Sequence, residues 1–454
     1  MHKFLLLLLP FFFIACSDSG GTITSPAERE VYTPSSTSTS YQPMLVIGVE
    51  FNDYSFQSST TIWQEKIFGT NNNAVNHYYN EISAGQFQFE PVNNSSVTSG
   101  LTIVKLSQDH PDLYSGSDIN AWTNDIRTKL YPILEDALTK LDTDVDKGFD
   151  FSTYDTNLDG KITPDELLIM FILAGEEDAY SGGIYASGVW AHVDCTTSSY
   201  NFDGVSLLGC NSGGNYAVFG ERHYDNATVS HDATIGIIAH ELGHAAFDLP
   251  DLYYGGYTRI GYYGLMANGS WGQADIAGQA GDTPTHMCAW SKMDTGWYSA
   301  SQTSDSGTDI QVNATGSADY NIIKVPLNGS HEEYFLVENR GSYGYDTGLK
   351  DINSAYNGGM AIWHIDETVI QANRASNTVN SNASHKGVDL EEAAGPSVDY
   401  GNGDPVLNLY YAGNVSSFTP STTPNTDSYA DGPSLIYFTD VSSASNTMTV
   451  SISN

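Results

Sequence analysis

Basic residues are scarce in this sequence. Its 454 residues include 17 Lys and Arg against 54 Asp and Glu, which gives a net charge of −37 at pH 7. A surface with this charge repels nucleic acid and anionic membrane faces, and it attracts divalent cations. The composition therefore argues against a nucleic-acid partner. Because the acidic residues are spread along the chain, solubility outside the cell explains most of them.

The N-terminal apolar run is too short to be a permanent membrane anchor. It extends from Phe4 to Ala15, about twelve residues, whereas a transmembrane helix needs about 20. Preceded by His2 and Lys3, the run is typical of an export signal. Its end at Cys16 resembles a bacterial lipoprotein signal, so we expect cleavage before Cys16 and acylation of its thiol. The protein would then be tethered to the bacterial cell envelope through this lipid alone. An ordinary cleaved signal and a secreted protein are the alternative.

Cysteine is rare, with four residues in the chain. Cys195 and Cys210 enclose a short loop, and an exported chain favours a disulfide between them. Closing a loop of this size contributes about 3 kcal/mol in the chain-entropy model. Cys288 lies in an apolar stretch, which predicts a buried free thiol.

Apolar runs and turn residues divide the rest of the chain. The run Met44 to Phe51 predicts a buried strand, and Trp63 to Phe68 and Val75 to Ile82 predict helices. A second run, Leu167 to Ala174, has the length of a central strand, although periodicity alone does not distinguish it from a buried helix. We therefore expect a mixed α/β region over residues 41–300. The Ser-, Thr-, Gly- and Pro-rich residues 17–40 that follow the signal at 1–16 predict a flexible tether.

Short strand candidates succeed one another after residue 300. The last of them alternates Met448, Val450 and Ile452 with polar residues, as a half-buried strand does. Val406 to Tyr411 is also predicted to be a strand. Residues 301–454 are therefore predicted to form a β-rich C-terminal domain, most simply a sandwich.

The motif His240-Glu241-Leu242-Gly243-His244 is the strongest functional signal. Two histidines four residues apart lie one turn apart on one helix face, so both imidazoles can reach the same ion. Apolar residues from Ile235 to Ala246 recur on the opposite face, which supports an amphipathic helix. A surface helix with two solvated histidines is the alternative.

Zinc suits these ligands, because catalytic zinc sites combine three protein ligands with a water molecule. Glu241 would lie beside the ion, where it could take a proton from that water and pass it to a leaving amine. The third ligand is expected beyond the helix, at Asp251 or at Asp248. Pro250 forces a non-helical path that could return Asp251 to the ion.

Residues 155–166 fit the EF-hand calcium loop at its key positions. The expected ligands are side-chain oxygens and one backbone carbonyl, from Asp155, Asn157, Asp159, Glu166 and, through its carbonyl, Lys161. Because a strand candidate follows where a sensor would have an exit helix, we predict a structural calcium ion. A metal-free acidic turn is the alternative.

The motif followed by Leu249 to Tyr253 resembles the immune inhibitor A family of secreted zinc metalloproteases, whose pattern is HExxHxxGxxD. Tyr263 to Trp271 resembles the family's Met-turn, with Met266 as the floor beneath the metal, and Tyr334 to Arg340 is similar to its β-region. The chain departs from the pattern at Phe247, where the family has Gly, and the following Asp lies one residue further on.

This resemblance implies an α+β zincin-like catalytic domain, with a mixed sheet and an active-site helix. It also implies zinc endopeptidase activity on protein or peptide substrates, and calcium near the catalytic domain. A catalytically weak or inactive binding or adhesion protein on the same scaffold is the second hypothesis, and a zinc hydrolase of non-peptide bonds is the third. The presence of Glu241 argues against the second.

Overall fold

The computed structural model describes residues 29–94, 97–113, 118–143, 148–274, 278–303, 306–327, 332–429 and 432–453. The predicted signal at 1–16, with Cys16, and residues 17–28 of the predicted tether lie outside the described residues. The described chain forms two compact units, one of residues 39–79 and 87–248 and another of residues 29–38, 80–86 and 249–453. The predicted domain boundaries at 40 and 300 stay predictions.

The strands and helices are numbered here in chain order. The strands are β1 Glu30–Pro34, β2 Ser40–Glu50, β3 Phe87–Pro91, β4 Leu101–Lys105, β5 Leu168–Glu177, β6 Gly188–Val189, β7 His192–Asp194, β8 Tyr200–Phe202, β9 Val205–Leu207, β10 Tyr216–Asn226, β11 Val229–Asp232, β12 Tyr298–Gln302, β13 Gly307–Asn313, β14 Ile322–Pro326, β15 Glu333–Arg340, β16 Gly359–Asp366, β17 Val388–Leu390, β18 Tyr437–Thr439 and β19 Thr447–Ser453. The α-helices are α1 Thr60–Phe68, α2 Val75–Ile82, α3 Ile119–Asp125, α4 Tyr131–Thr143, α5 Asp178–Ser181, α6 Ile235–Phe247, α7 Ala289–Asp294, α8 Glu367–Asn373 and α9 Pro405–Asn408.

The first unit is built on a mixed sheet in the order β11-β10-β5-β2-β3, with β4 paired to β2, β6 to β5 and β7 to β10. The central strands β2, β5 and β10 run parallel, whereas β7 and β11 are antiparallel to β10. Every residue of β5 is buried, which explains its unbroken apolar sequence, because a central parallel strand is covered on both faces. The run at Leu167 to Ala174 is thus a strand, and the unit has the expected mixed α/β character.

The second unit is dominated by antiparallel strands. One sheet has the order β12-β1-β14-β15-β16-β17, and a smaller one has the order β13-β19-β18. The two sheets share one hydrophobic core, in which Phe335 and Val337 of the larger sheet lie with Phe438 and Val450 of the smaller. The residues beyond 300 are therefore rich in strands, as the sequence predicts.

Two local predictions were wrong. Part of the predicted tether is ordered, because β1 pairs with both β12 and β14 and Val31 packs against the core of the second unit. The predicted strand at Val406 to Tyr411 begins instead with the helical turn α9. The Asp404 side chain accepts the Val406 N–H and caps the first turn. Pro405 is at the start of the helix, where the backbone N–H has no partner within the helix, so the missing N–H of proline costs no hydrogen bond.

Candidate metal centre

Helix α6 carries the two motif histidines and Glu241. Its backbone is held by side chains of the first unit: Tyr79 donates its hydroxyl to the carbonyl of Ala239 at 2.6 Å, and Asn215 donates to that of Ala245 at 3.0 Å. His240 and Glu241 are 4% and 6% exposed, so both are almost enclosed by protein. The helix is thus fixed in place by packing and by hydrogen bonds from elsewhere in the fold.

The helix ends one residue later than the family pattern suggests. Phe247 is its last residue and packs against the rings of Phe87 and Tyr79, at centroid distances of 4.8 Å and 5.8 Å. Asp248 then takes the left-handed conformation, with φ 52° and ψ 30°, and donates its N–H to the carbonyl of His244. Aspartate tolerates this region better than most residues. The left-handed turn that ends the helix is therefore made by Asp248, which is exposed.

Three potential metal ligands converge within this short stretch. One ligand atom each from His240, His244 and Asp251 lies within 4.8 Å of the others. No other three acidic, histidine or cysteine side chains among the described residues meet as closely. Of the two aspartates predicted as the third ligand, the structure brings Asp251 to the histidines.

The donor set and its spacing fit zinc. The Nε2 atoms of His240 and His244 are 3.1 Å apart. Two nitrogens bound to one tetrahedral zinc at 2.0–2.1 Å would be separated by about 3.4 Å, close to this distance. Two imidazoles and one carboxylate are also a known ligand set of catalytic zinc, with a fourth position left for water.

Asp251 is fixed by a contact that the sequence did not predict. Asn377 donates from Nδ2 to the Asp251 Oδ2 at 2.6 Å, and its Oδ1 accepts the Asp251 N–H at 2.7 Å. The carbonyl of Met266, in the segment that resembles the Met-turn, accepts the N–H of Leu252 at 2.7 Å. Asn377 lies 126 residues from Asp251 and in no recognised motif, so local spacing gave no signal for it.

Glu241 lies in a buried, acidic part of the first unit. Burial raises the pKa of Glu177 to about 8, and the nearby Glu241 carboxylate contributes to this increase. Three backbone hydrogen bonds to Glu177 lower its pKa but do not outweigh burial. Burial likewise raises the pKa of the Tyr79 hydroxyl well above its usual value, again with a contribution from Glu241. A cation bound near Glu241 would oppose this effect, because a nearby positive charge favours the ionised form of an acid and lowers its pKa.

The predicted calcium loop has its acidic side chains turned toward its own backbone. Asp155 accepts the N–H groups of Asp159 and Gly160, at 3.1 and 2.9 Å. Glu166 accepts those of Thr156 and Thr163, at 3.0 and 3.1 Å. Burial alone would raise the pKa of Glu166, but its hydrogen bonds outweigh burial and lower it, so the carboxylate is ionised at neutral pH.

The turn within this loop depends on Gly160, whose φ is 78°. Asn157 accepts the N–H of Asp159 and Asp159 that of Lys161, each at 2.9 Å. The four predicted side-chain ligands thus accept backbone N–H groups of the loop itself.

The β8–β9 hairpin is hydrogen-bonded to the predicted calcium loop. Ser206 of β9 exchanges two backbone hydrogen bonds with it, accepting from Ile162 and donating to Gly160, each at 2.9 Å. The β8–β9 hairpin lies between Cys195 and Cys210, which form a disulfide. The disulfide therefore closes the segment that is hydrogen-bonded to the loop.

Cys288 is a buried free thiol, as predicted.

No helix of the described part of the chain combines the length and the apolar character needed to cross a bilayer. The lipid attachment predicted at Cys16 falls outside these residues and stays a prediction.

A family model described as the immune inhibitor A peptidase M6 catalytic domain matches residues 22–298, more than half of the chain. A comparison with curated proteins finds no match. The matched range includes the histidine motif and Asp251, and it confirms the resemblance seen in the sequence. The chain belongs to the immune inhibitor A peptidase M6 family of metallopeptidases.

Proposed function

We propose that this metallopeptidase is a zinc-dependent endopeptidase that acts outside the cytoplasm on exposed segments of proteins. The observation that carries the proposal is the convergence of His240, His244 and Asp251, with Glu241 next to His240 on α6. Two imidazoles and a carboxylate suit zinc, and this arrangement is what a zincin-like catalytic domain would require. Membership of a usually secreted family and the predicted export signal support the location.

Zinc bound at this position would polarise a substrate carbonyl and lower the pKa of a bound water molecule to near neutral. His240, His244 and Asp251 would hold the ion, and the packing of α6 would keep the two histidines in place. Glu241 would accept a proton from the water that attacks the peptide carbonyl. It would then deliver that proton to the leaving amine as the C–N bond breaks, so that the carboxylate is regenerated.

Metal content tests the proposal directly. We expect about one zinc ion per purified chain by elemental analysis, and cleavage of an unfolded protein that stops with a chelator and returns with added zinc. His240→Ala should lose the bound zinc, because a two-ligand site binds far more weakly. His77→Ala, at a partly exposed histidine of α2, should keep it.

Two results would count against this function. A purified chain without zinc would remove its basis. A zinc-loaded chain that leaves unfolded protein intact would favour the binding or adhesion protein on a protease scaffold.

We further propose that residues 155–166 hold a structural calcium ion. Its ligands would be Asp155, Asn157, Asp159, the carbonyl of Lys161 and Glu166. The tight turn at Gly160 and the ionised Glu166 support the proposal, since calcium prefers several oxygen ligands in such a loop. Millimolar calcium outside the cell would fill even a weak site.

Loss of one ligand should remove the stabilisation by calcium. At a concentration of 100 times Kd, calcium would stabilise the wild type by about 2.7 kcal/mol relative to chelator. We expect Glu166→Gln to lose most of this difference, and Glu65→Gln, at an exposed position of α1, to retain it. Thermal unfolding with calcium and with chelator measures the difference. An equal response of wild type and Glu166→Gln to calcium would contradict the assignment.

A further inference from the structure

The side chain of Asn377 makes two hydrogen bonds with Asp251. Its Nδ2 donates to the carboxylate oxygen Oδ2 at 2.6 Å, and its Oδ1 accepts the backbone N–H of the same residue at 2.7 Å. The chemistry of the partners fixes the orientation of the amide, because a carboxylate can only accept here and an N–H can only donate. One side chain therefore holds both the backbone and the carboxylate of Asp251.

Asn377 is itself held by a compact turn. It follows the turn Arg374–Ser376 in the left-handed conformation, with φ 51° and ψ 42°, and its N–H bonds to the Arg374 carbonyl at 2.9 Å. The Ser376 hydroxyl donates to the carbonyl of Asn373 at 3.0 Å, and it lies 2.6 Å from the Thr378 hydroxyl. These hydrogen bonds restrict the backbone conformation of Asn377 and so fix the position of its side-chain amide.

A second asparagine from the same region holds the residue after Asp251. Asn380 donates from Nδ2 to the carbonyls of Leu252 and Val388, at 3.1 and 2.8 Å, and accepts the Val388 N–H at 3.1 Å. Asn380 is fully buried. Through Val388, this contact connects the segment at Asp251 to strand β17 of the larger sheet of the second unit.

Asp251 needs support of this kind because α6 does not provide it. The helix ends at Phe247, and three residues of irregular chain, including Pro250, separate its end from Asp251. A carboxylate on irregular chain can rotate, whereas a metal ligand must be kept at one orientation. A hydrogen bond to one oxygen restricts that rotation, and the bond to the N–H restricts the backbone.

We propose that Asn377 is the positioning residue for the third metal ligand, and that it sets the zinc affinity of the site through Asp251. The role rests on the proposed zinc site.

The substitution Asn377→Gly removes the amide without straining the backbone, because glycine adopts the left-handed conformation readily. We expect the zinc affinity, measured by competition with a chromophoric chelator, to fall by about 10–100-fold, as for other residues that orient metal ligands. Asn73→Gly is the matched control: Asn73 also has a positive φ, of 68°, and is exposed. It should bind zinc as the wild type does.

A double-mutant cycle separates positioning from general structural damage. In an Asp251→Ala background, Asn377→Gly should no longer change the zinc affinity. In the wild-type background and without metal, Asn377→Gly should unfold at about the same temperature as the wild type. The inference is overturned if Asn377→Gly binds zinc within twofold of the wild type, or if the loss persists without Asp251. In either case a wild type that binds zinc and cleaves protein leaves the proposed function intact. A wild type without zinc overturns both.

Discussion

Glu241→Gln is expected to lower kcat/KM for an unfolded protein substrate by about 10²–10⁴-fold, the usual contribution of a general acid–base group. Glutamine keeps the size of the side chain but cannot accept a proton from the attacking water. Because Glu241 is 6% exposed, bulk water would replace its role poorly. His240, His244 and Asp251 are unchanged, so zinc should remain bound at about one ion per chain.

The measurement combines initial rates of cleavage with elemental analysis of the same samples. Glu135→Gln provides the matched control, since Glu135 is exposed on α4 and its replacement should leave the rate unchanged. Equal rates for wild type and Glu241→Gln would show that another group moves the proton. A variant that loses both zinc and activity would instead assign Glu241 to the stability of the site.

The local part of the site could be predicted from the sequence because short-range geometry determines it. Two histidines four residues apart on a helix must face the same way, and the helix was recognisable from its apolar residues. Pro250 likewise forces an irregular path after the helix. These arguments require no knowledge of the rest of the fold. They were sufficient to name His240 and His244 and to limit the third ligand to Asp251 or Asp248.

Contacts between distant segments could not be predicted in this way. Asn377 meets Asp251 across 126 residues, and nothing in its neighbourhood distinguishes it from other asparagines. Strand β1 was missed for a related reason, because it lies in a Ser-, Thr- and Pro-rich stretch and is ordered by pairing with β12 and β14. In both cases the structure depends on a partner that a single sequence does not reveal.

The departure of this chain from the family pattern has a local physical explanation. A Phe in the left-handed turn would be strained, but Phe247 stays helical and buries part of its ring against Phe87 and Tyr79. Asp248 takes the left-handed position one residue later. The replacement of Gly by Phe247 and the extra residue before Asp251 therefore belong together. The helix continues through Phe247, and the left-handed turn moves to Asp248.

Arg340 of β15 should be among the most sensitive residues for stability. Its guanidinium is fully buried and pairs with Asp346, whose Oδ2 accepts from Nε at 2.8 Å, and with Glu338 at 3.4 Å. Lys292 pairs with the other oxygen of Glu338, also at 3.4 Å. Two cations thus balance two carboxylates. Burial alone would raise the pKa of Asp346, but Arg340 and its other positive neighbours hold it far below its usual range.

Arg340→Met is expected to destabilise the second unit by about 3–5 kcal/mol, because it leaves the buried carboxylate of Asp346 without its ion-pair partner. The same guanidinium donates to the carbonyl of Tyr263 at 2.5 Å, so the turn that carries Met266 should loosen as well. The lowered pKa of Asp346 stabilises the fold at pH values above 3.8, the ordinary value, and that stabilisation is lost as the pH falls further. The deficit of Arg340→Met should therefore be largest near neutral pH and shrink below pH 3.8.

Urea unfolding followed by tryptophan fluorescence measures this loss, since Trp363 lies in the same network and donates its Nε1–H to Glu338 at 2.9 Å. Arg374→Met is the matched control. Arg374 pairs with Asp294 at 2.8 Å, but 28% of its side chain is exposed, so its loss should cost about 1 kcal/mol or less. Equal effects of the two substitutions would mean that burial does not set the strength of the Arg340 network. A larger effect at Arg340 would show that this buried charge cluster, which also anchors the turn at Tyr263, stabilises the second unit far more than an exposed ion pair does.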